Sequence, residues 1–389
     1  MSPAIVPLSD KSRLAVLLEH FSTIDDPRDV RRITHPLAEI LLLVVCATIA
    51  DCDDYDHIAA WGEAHLDFLR RHLAYQHGVP GGRWLTILMN RINPALFSAV
   101  FTAWVRDTWP DRPEFVAIDG KTSRRSHDHS SGVEPIHLVS AFATTSSLIL
   151  GQEVVPNKSN ELTAIPTLLA RLAEQDGLRG ALVSIDAIAT NGTIAKAIKD
   201  AGADYLLAVK ANQPTLRAEV EACFDGAPTG ILETHISHDK GHGRVEQRIV
   251  SVVREIDWLS GDRRFPGELR LPDVSCIIRV QASIQRGGQT HAETRYYISS
   301  ASLEAERAGQ AVRGHWGIEN RLHWVLDVTF DDDQCRLRKG FGAKNMAVIR
   351  HFALNLVRSV KDTKSIKLRR KMAAWTPNYL QRLLTERLP

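Results

Sequence analysis

The chain has 389 residues, of which 44% are apolar and 24% charged, with 48 Lys and Arg against 46 Asp and Glu. This composition is ordinary for a globular protein. It excludes an acidic or disordered tail protein and confines any basic surface to a local patch. At roughly 150 residues per domain, the length predicts two or three domains. The five cysteines (Cys46, Cys52, Cys223, Cys276 and Cys335) are an odd number and form no C-x-x-C pair. They read as buried thiols in a reducing compartment, not as a disulfide framework or a zinc ribbon. The N-terminus has no apolar segment behind a basic start. The longest apolar run, Ile40 to Ala50, falls far short of the ~20 residues that span a bilayer. A soluble, cytoplasmic protein is the expectation.

Along the chain, residues 10 to 110 predict an all-helical region. Apolar residues recur at helical spacing through Leu14, Leu17, Leu18 and Phe21, and again through Leu37, Ile40, Leu41 and Val44. The pattern continues through 56–74 and 94–106, with breaks at the Gly- and Pro-containing stretch 77–82 and at Asn93-Pro94. Trp109-Pro110-Asp111-Arg112-Pro113 reads as a linker. After it come short apolar runs: 115–118, a hairpin over 136–144 and 147–155, and 181–185 and 205–209 alternating with helical patterns at 161–175 and 190–201. Strands followed by alternating helix and strand predict a mixed α/β sheet. Residues 225–300 read as a β-rich insertion, and the chain is helical again from Leu303. Between Arg358 and Lys371, seven basic residues face a single acid, Asp362.

Two aspartates, Asp119 and Asp186, each follow a short apolar run. A carboxylate at the end of a buried strand is held rigidly at the sheet edge, where ligands bind in α/β folds. Two of them on neighbouring strands can hold a hard divalent cation through oxygen ligands, whereas either one alone could simply cap the next helix or turn. A third candidate is the stretch 313–324, in which His315, Glu319 and His323 fall at i, i+4 and i+8, close to one stripe of a helix.

Further motifs carry a resemblance. They are Ala117-Ile118-Asp119-Gly120-Lys121-Thr122, Lys158-Ser159-Asn160-Glu161 with Ala164-Ile165-Pro166, Ile185-Asp186-Ala187, and 204–214 (DYLLAVKANQP). Later in the chain come Gly241-His242-Gly243-Arg244, His315-Trp316-Gly317-Ile318-Glu319-Asn320, Leu322-His323-Trp324, and Arg338-Lys339-Gly340 with Asn345-Met346-Ala347. In this order, over nearly the full length, the chain resembles the ISAs-type transposases of bacterial insertion sequences, the DDE-class group that includes the H-repeat-associated proteins. The Tyr-Arg-Glu-Lys signature of a related transposase group is absent, its spacings holding Val312, His315 and Leu326, and Asn191 stands where a longer Gln is expected.

The resemblance implies a ribonuclease-H-like mixed α/β sheet with a β-rich insertion, preceded by an all-helical N-terminal domain. The domains would be 1–110, a helical transposase-associated domain suited to DNA binding; 111–224, the first part of the catalytic core; 225–300, the β-rich insertion; and 301–389, the helical completion with a basic C-terminal region. Asp119, Asp186 and Glu319 would be the catalytic acids and the metal ligands. Two Mg²⁺ ions per active site are expected, with Mn²⁺ as a substitute, and two-metal chemistry would cut transposon ends and join them to target DNA. The expected partners are double-stranded DNA (terminal inverted repeats and target) and a second copy of the chain in the DNA complex, with no membrane, no small-molecule substrate and a location at the bacterial nucleoid. Lys121, Lys158, Lys210, Arg244, His315, Trp316, Asn320, Arg338 and Lys339 are the candidate DNA contacts. The basic stretch 358–371 and Arg31-Arg32 would meet phosphates.

Three other readings compete. The His315-Glu319-His323 stripe could hold zinc in a hydrolase, although its spacing is not that of H-E-x-x-H. The chain could be a metal-dependent nuclease that cuts without joining. It could also be a non-catalytic DNA-binding remnant of a mobile element, although clustered acids beside a polyanion would repel it without a metal.

Overall fold

A computed structural model describes residues 12–127, 134–156, 160–187, 190–228, 230–241, 244–259, 268–287 and 289–386, with Arg244 described by its backbone only. Among the described residues, six α-helices come first: α1 (Arg13–Ser22), α2 (Leu37–Ile49), α3 (Tyr55–Ala64), α4 (Leu66–Leu69), α5 (Gly82–Met89) and α6 (Pro94–Thr108). Side-chain caps set several starts. Ser12 accepts from the Ala15 N–H, and Asn93, followed by Pro94, accepts from Ala95 and Leu96. The run from Ile40 to Ile49 is buried on every side, which makes α2 the central helix of its layer.

The α/β region follows as β1 (Phe115–Ser123), β2 (Ile136–Ala143), β3 (Leu148–Val154), α7 (Glu161–Ala173), β4 (Leu182–Ile185), α8 (Gly192–Asp200), β5 (Asp204–Val209) and α9 (Pro214–Gly226). The strands β6 (Glu233–Gly241), β7 (Arg244–Val253), β8 (Cys276–Arg286) and β9 (Gln289–Ser299) come next. The helices α10 (Ala305–His315), α11 (Trp324–Thr329), α12 (Gly342–Arg358), α13 (Ile366–Trp375) and α14 (Pro377–Thr385) complete the chain.

Among the described residues, nine strands form one mixed sheet in the order β3-β2-β1-β4-β5-β9-β8-β7-β6. β1, β2 and β3 are antiparallel, β4 runs parallel to β1, and β5 runs parallel to β4. β9 returns antiparallel to β5, with Val209 opposite Tyr296. The strand-rich segment therefore extends the central sheet.

Three apolar clusters sort the layers. On one face, Ala117, Phe142 and Ile149 join the N-terminal helices, α12 and α14 in a single core. On the other face, Val116, Ile118, Val139 and Ala141 pack against α7 and α8. α10 covers the far half of the sheet through Ala308, Ala311 and Val312. β3 is an edge strand, and Asn355 of α12 closes it: its Nδ2 donates to the Ile149 carbonyl at 2.9 Å, and its Oδ1 accepts from the Ile149 N–H at 3.0 Å. The five cysteines are free thiols, all but Cys223 buried, and among the described residues no helix is long and apolar enough to cross a membrane.

Two sequence expectations change here. The basic stretch 358–371 does not present all its charges to solvent. Arg370 is fully buried, donating to the Thr48 carbonyl and to Asp53, and Arg369 is buried against Asp362 and the Val357 carbonyl. Arg358 donates to the carbonyls of Ser147 and Arg321. Helix-end carbonyls and loop carboxylates accept hydrogen bonds from guanidinium groups just as phosphates can. Lys361, Lys367 and Lys371 remain exposed.

The second change concerns 313–324. No continuous α-helix carries His315, Glu319 and His323: α10 ends at His315, and residues 319–323 form a π-helical turn in which the Trp324 N–H bonds the Glu319 carbonyl five residues back. The wider turn breaks the α-helical stripe, and such turns recur at functional sites.

Candidate active site

Sheet register builds the site. β4 pairs with β1 only as far as Ile118 opposite Ile185. The next residues on the two chains are Asp119 and Asp186, side by side where neighbouring strands lie about 4.8 Å apart. Asp186 does end its strand, but Asp119 does not: β1 continues to Ser123 along β2, with Asp119 opposite Ser140. What stops at Asp119 is the partner strand, so the carboxylate sits on an opened edge of a continuing strand.

Glu319 comes from the π-helical turn, whose Ile318 and Leu322 are anchored in the same core as Ala117. Asp119, Asp186 and Glu319 line one cleft of 390 Å³. Its other walls include Lys210 after β5, Glu293, Arg295 and Tyr297 of β9, and His315 and Trp316.

The charges are arranged in opposition. Burial pushes the Asp119 carboxyl up to about 7, and the neighbouring charges of Glu161, Glu319 and Asp186 push it the same way. Burial and Asp186 also raise Glu319. Asp186 moves the other way: its burial is outweighed by Lys210, whose Nζ donates to both carboxylate oxygens at 2.6 and 2.9 Å, and by the Ala187 N–H. His315 Nδ1 lies 3.0 Å from Ser184 Oγ, and burial lowers its pKa. His323 Nδ1 lies 3.6 Å from Asp119 Oδ2, beyond hydrogen-bond reach. Burial and Lys121 hold His323 down at about 4, so it is neutral at pH 7. The two histidines thus serve different neighbours and do not converge with Glu319 as a zinc site would require.

The other candidates are distributed unevenly. Lys210, His315 and Trp316 line the cleft, and Asn320 is exposed beside it, donating to the Trp316 carbonyl. Arg295 stacks over the Trp316 ring at 4.6 Å. Lys121 turns away from solvent, with its ammonium 2.5 Å from Asp327, 3.2 Å from Asp332 and 3.4 Å from Asp333. Arg338 and Lys339 are exposed in the loop before α12. Lys158 lies outside the described residues, as does the Arg244 side chain. Asn191 is the N-cap of α8, accepting from Ile194 at 3.0 Å, a role in which a short amide suffices.

Sequence reasoning missed Glu293, Arg295 and Tyr297, because only the β5–β9 pairing brings them here. It also missed Asn212 and Gln213 as supports, both donating to the Ala187 carbonyl behind Asp186. Their place in the 204–214 motif was the available signal.

The donor set is chemically suited to a hard divalent cation. It is all oxygen, and it carries mutual repulsion that a cation would relieve. Among the described residues, no group of three His, Cys, Asp or Glu side chains is arranged to hold a metal ion, and Lys210 Nζ pairs with Asp186 at 2.6 Å.

Comparisons with known proteins agree on one family. A family model described as "Transposase DDE domain" matches residues 110–356, and one described as "DDE_Tnp_1-associated" matches residues 18–105. The "H repeat-associated putative transposase YhhI" of Escherichia coli K12 is 38% identical over 378 residues, covering 95% of this chain and 98% of that protein. The "Putative transposase YncI" of Escherichia coli O157:H7 is 35% identical over 95% of this chain and 94% of its own length. Among solved structures, the piggyBac transposase synaptic complex with hairpin DNA matches with a TM-score of 0.43 and 11% identity, over 98% of this chain and 86% of that one. That likeness is too distant to decide fold or ligand.

Proposed function

Since this chain belongs to the DDE transposase family, we propose that it cuts the ends of an insertion sequence and joins them to target DNA, with Asp119, Asp186 and Glu319 as the catalytic acids. The observation that carries the proposal is the β1–β4 register, which sets Asp119 beside Asp186 in a cleft that Glu319 also lines. The strand order β3-β2-β1-β4-β5, with β1 to β3 antiparallel and β4 and β5 parallel to β1, supports a ribonuclease-H-like core. That core would be drawn from 111–224 and 301–389, with 225–300 as its β-rich insertion and 1–110 as the associated helical domain.

Two Mg²⁺ ions held by these carboxylates would supply activation of the attacking oxygen and stabilisation of the leaving oxygen in an in-line displacement. The residues of the chain do the rest. Lys210 pairs with Asp186, and its exposed, flexible stem would let it turn from the carboxylate to a phosphate of bound DNA. Arg295, fixed by Glu293 through its Nε at 2.6 Å and by the Trp316 ring, presents a fixed positive charge to the DNA backbone. His323 lies 3.6 Å from Asp119, and His315 bonds Ser184, the strand residue two before Asp186. Double-stranded DNA is the substrate of this reading, engaged by a dimer.

The test uses purified protein and a labelled duplex bearing the element's own end, with Mg²⁺ or EDTA. Metal-dependent nicking at the element boundary that vanishes in Asp186→Asn is the expected result. Binding without cleavage, unchanged by Asp186→Asn, would replace this reading with that of a non-catalytic remnant.

A further inference from the structure

We infer that α5 of the helical region is the centre of a basic track for the duplex flanking the cut point, with Arg31, Arg32, Arg83, Arg91, Arg338 and Lys339 meeting its phosphates; the inference rests on the DNA reading above. The argument starts from pairing. Exposed arginines elsewhere in the chain are matched by carboxylates, as Arg112 is by Asp176, Arg254 by Glu233, Arg307 by Glu114 and Arg313 by Asp239. These six cations are exposed too, and among the described residues none of them forms an ion pair. One unmatched arginine is an ordinary solvated side chain. Six cations on segments braced against one another make a positive field that fits a polyanion.

Two braces on α5 bring the segments together. The loop that carries Arg31 and Arg32 is seated on Trp84: the Arg28 guanidinium lies over that ring at 5.1 Å, and the His35 ring meets it edge-on at 5.7 Å. Arg28 itself donates to Asp26 and to the His35 carbonyl, and Asp29 caps the turn by accepting from the Arg31 N–H at 3.0 Å. Arg31 and Arg32 are left as the outward charges. Arg83, and Arg91 just past the helix end, point away from the buried Leu85, Leu88 and Met89. Asn90 holds the loop of Arg338 and Lys339. Its carbonyl accepts from the Phe341 N–H at 3.2 Å, and its Oδ1 accepts from the Gly342 N–H at 2.9 Å. Gly340 permits this approach, since its φ is +53° and a Cβ there would meet the Asn90 carbonyl oxygen at 2.9 Å. At its start the same loop is tied to the end of β1. Ser123 Oγ donates to the Asp332 carbonyl at 2.9 Å, and Lys121 pairs with Asp332 and Asp333. Lys121 is two residues beyond Asp119 and shares its face of the strand. The track therefore begins beside the cleft and runs out over the helical region. Five of its six cations are arginines, whose planar fork suits bidentate bonds to phosphate.

Arg83→Ala combined with Arg91→Ala removes two charges without touching the cleft or either brace. Its control is Arg112→Ala combined with Arg307→Ala, which removes two charges from carboxylate-paired positions. The probes are a long labelled duplex bearing the element's own end with flanks on both sides, and a short one trimmed close to the cut point. Fluorescence anisotropy of the full chain, titrated with salt in EDTA and again in Mg²⁺, gives affinity and its salt slope. With thermal melting unchanged, the α5 pair should lower the slope on the long duplex by about two ion equivalents, and the control pair should leave it unchanged. On the short duplex, which does not reach α5, the α5 pair should bind as the wild type does. An unchanged slope in the α5 pair, an equal loss in the control pair, or the same loss on the short duplex would each overturn the inference while leaving the DNA reading in place. A wild type that binds neither duplex in either condition would remove the DNA reading itself.

Discussion

Asp119 shows how a single carboxyl couples the site to stability. Its folded pKa of about 7 lies above the ordinary 3.8, so between about pH 4 and 7 the native state holds a proton that the unfolded chain has released. Stability of the metal-free protein from this group therefore falls as pH rises through that window, by up to an order of 4 kcal/mol. His323 works in the opposite direction. Its pKa is depressed from 6.5 to about 4, so its contribution to stability is lost as pH falls through that range. Asp119→Asn removes only the first effect. Thermal melts in EDTA from pH 4 to 8 should show the mutant gaining on the wild type steadily toward neutral pH, and a constant difference would refute the assignment. The site is thus built against the stability of the metal-free fold, as electrostatically loaded active sites commonly are.

The basic helix α13 divides its charges by depth. Arg370 is fully buried over the Phe330 ring at 4.1 Å and is bonded to Thr48 and Asp53. Arg370→Met should cost about 3 kcal/mol in urea denaturation, because it leaves internal carbonyls and carboxylates unmatched. The exposed Lys367 and Lys371 of the same helix should behave differently. Replacing both with Ala should leave the urea midpoint within experimental error, weaken duplex binding, and reduce the salt dependence of that binding by about one to two ion equivalents. If the double variant bound DNA with an unchanged salt slope, α13 would not be a DNA-facing element.

Across the whole molecule, the helices before the sheet and the helices after it share one core. Residues from Leu14 to Val105 pack with Met346 to Leu384 and with Ala117, Phe142 and Ile149 of the sheet. Asn355 is the polar pin of this junction, satisfying both backbone groups of Ile149. Asn355→Leu should destabilise the fold by about 2–4 kcal/mol, since it orphans a buried donor and a buried acceptor on an edge strand; a shift below 1 kcal/mol would show that water replaces the amide. A chain lacking residues 1–110 exposes that face of the sheet and should be insoluble on expression. A soluble, cooperatively melting fragment would show that the helical region is an independent domain.

Local chemistry was enough to read much of this protein from its residues. Apolar periodicity placed the helices of the first hundred residues, the hairpin and the alternating strands. The short runs before Asp119 and Asp186 marked both aspartates as site candidates, because a buried strand that ends in an acid is a local pattern. The motifs around Glu319 and the family resemblance named it as the third candidate acid. Long-range pairing supplied the rest. The Ile118–Ile185 register set the two aspartates side by side, and the β5–β9 pairing carried Arg295 and Tyr297 into the cleft from residues that read only as an insertion. Whether a basic residue turns outward to solvent or inward to a helix-end carbonyl also depended on packing, which separated Arg370 from Lys371, its neighbour in sequence. A sequence states which side chains are available, but burial and partner choice depend on segments hundreds of residues apart, as with Arg370 and Thr48, and those are fixed only when the chain closes on itself.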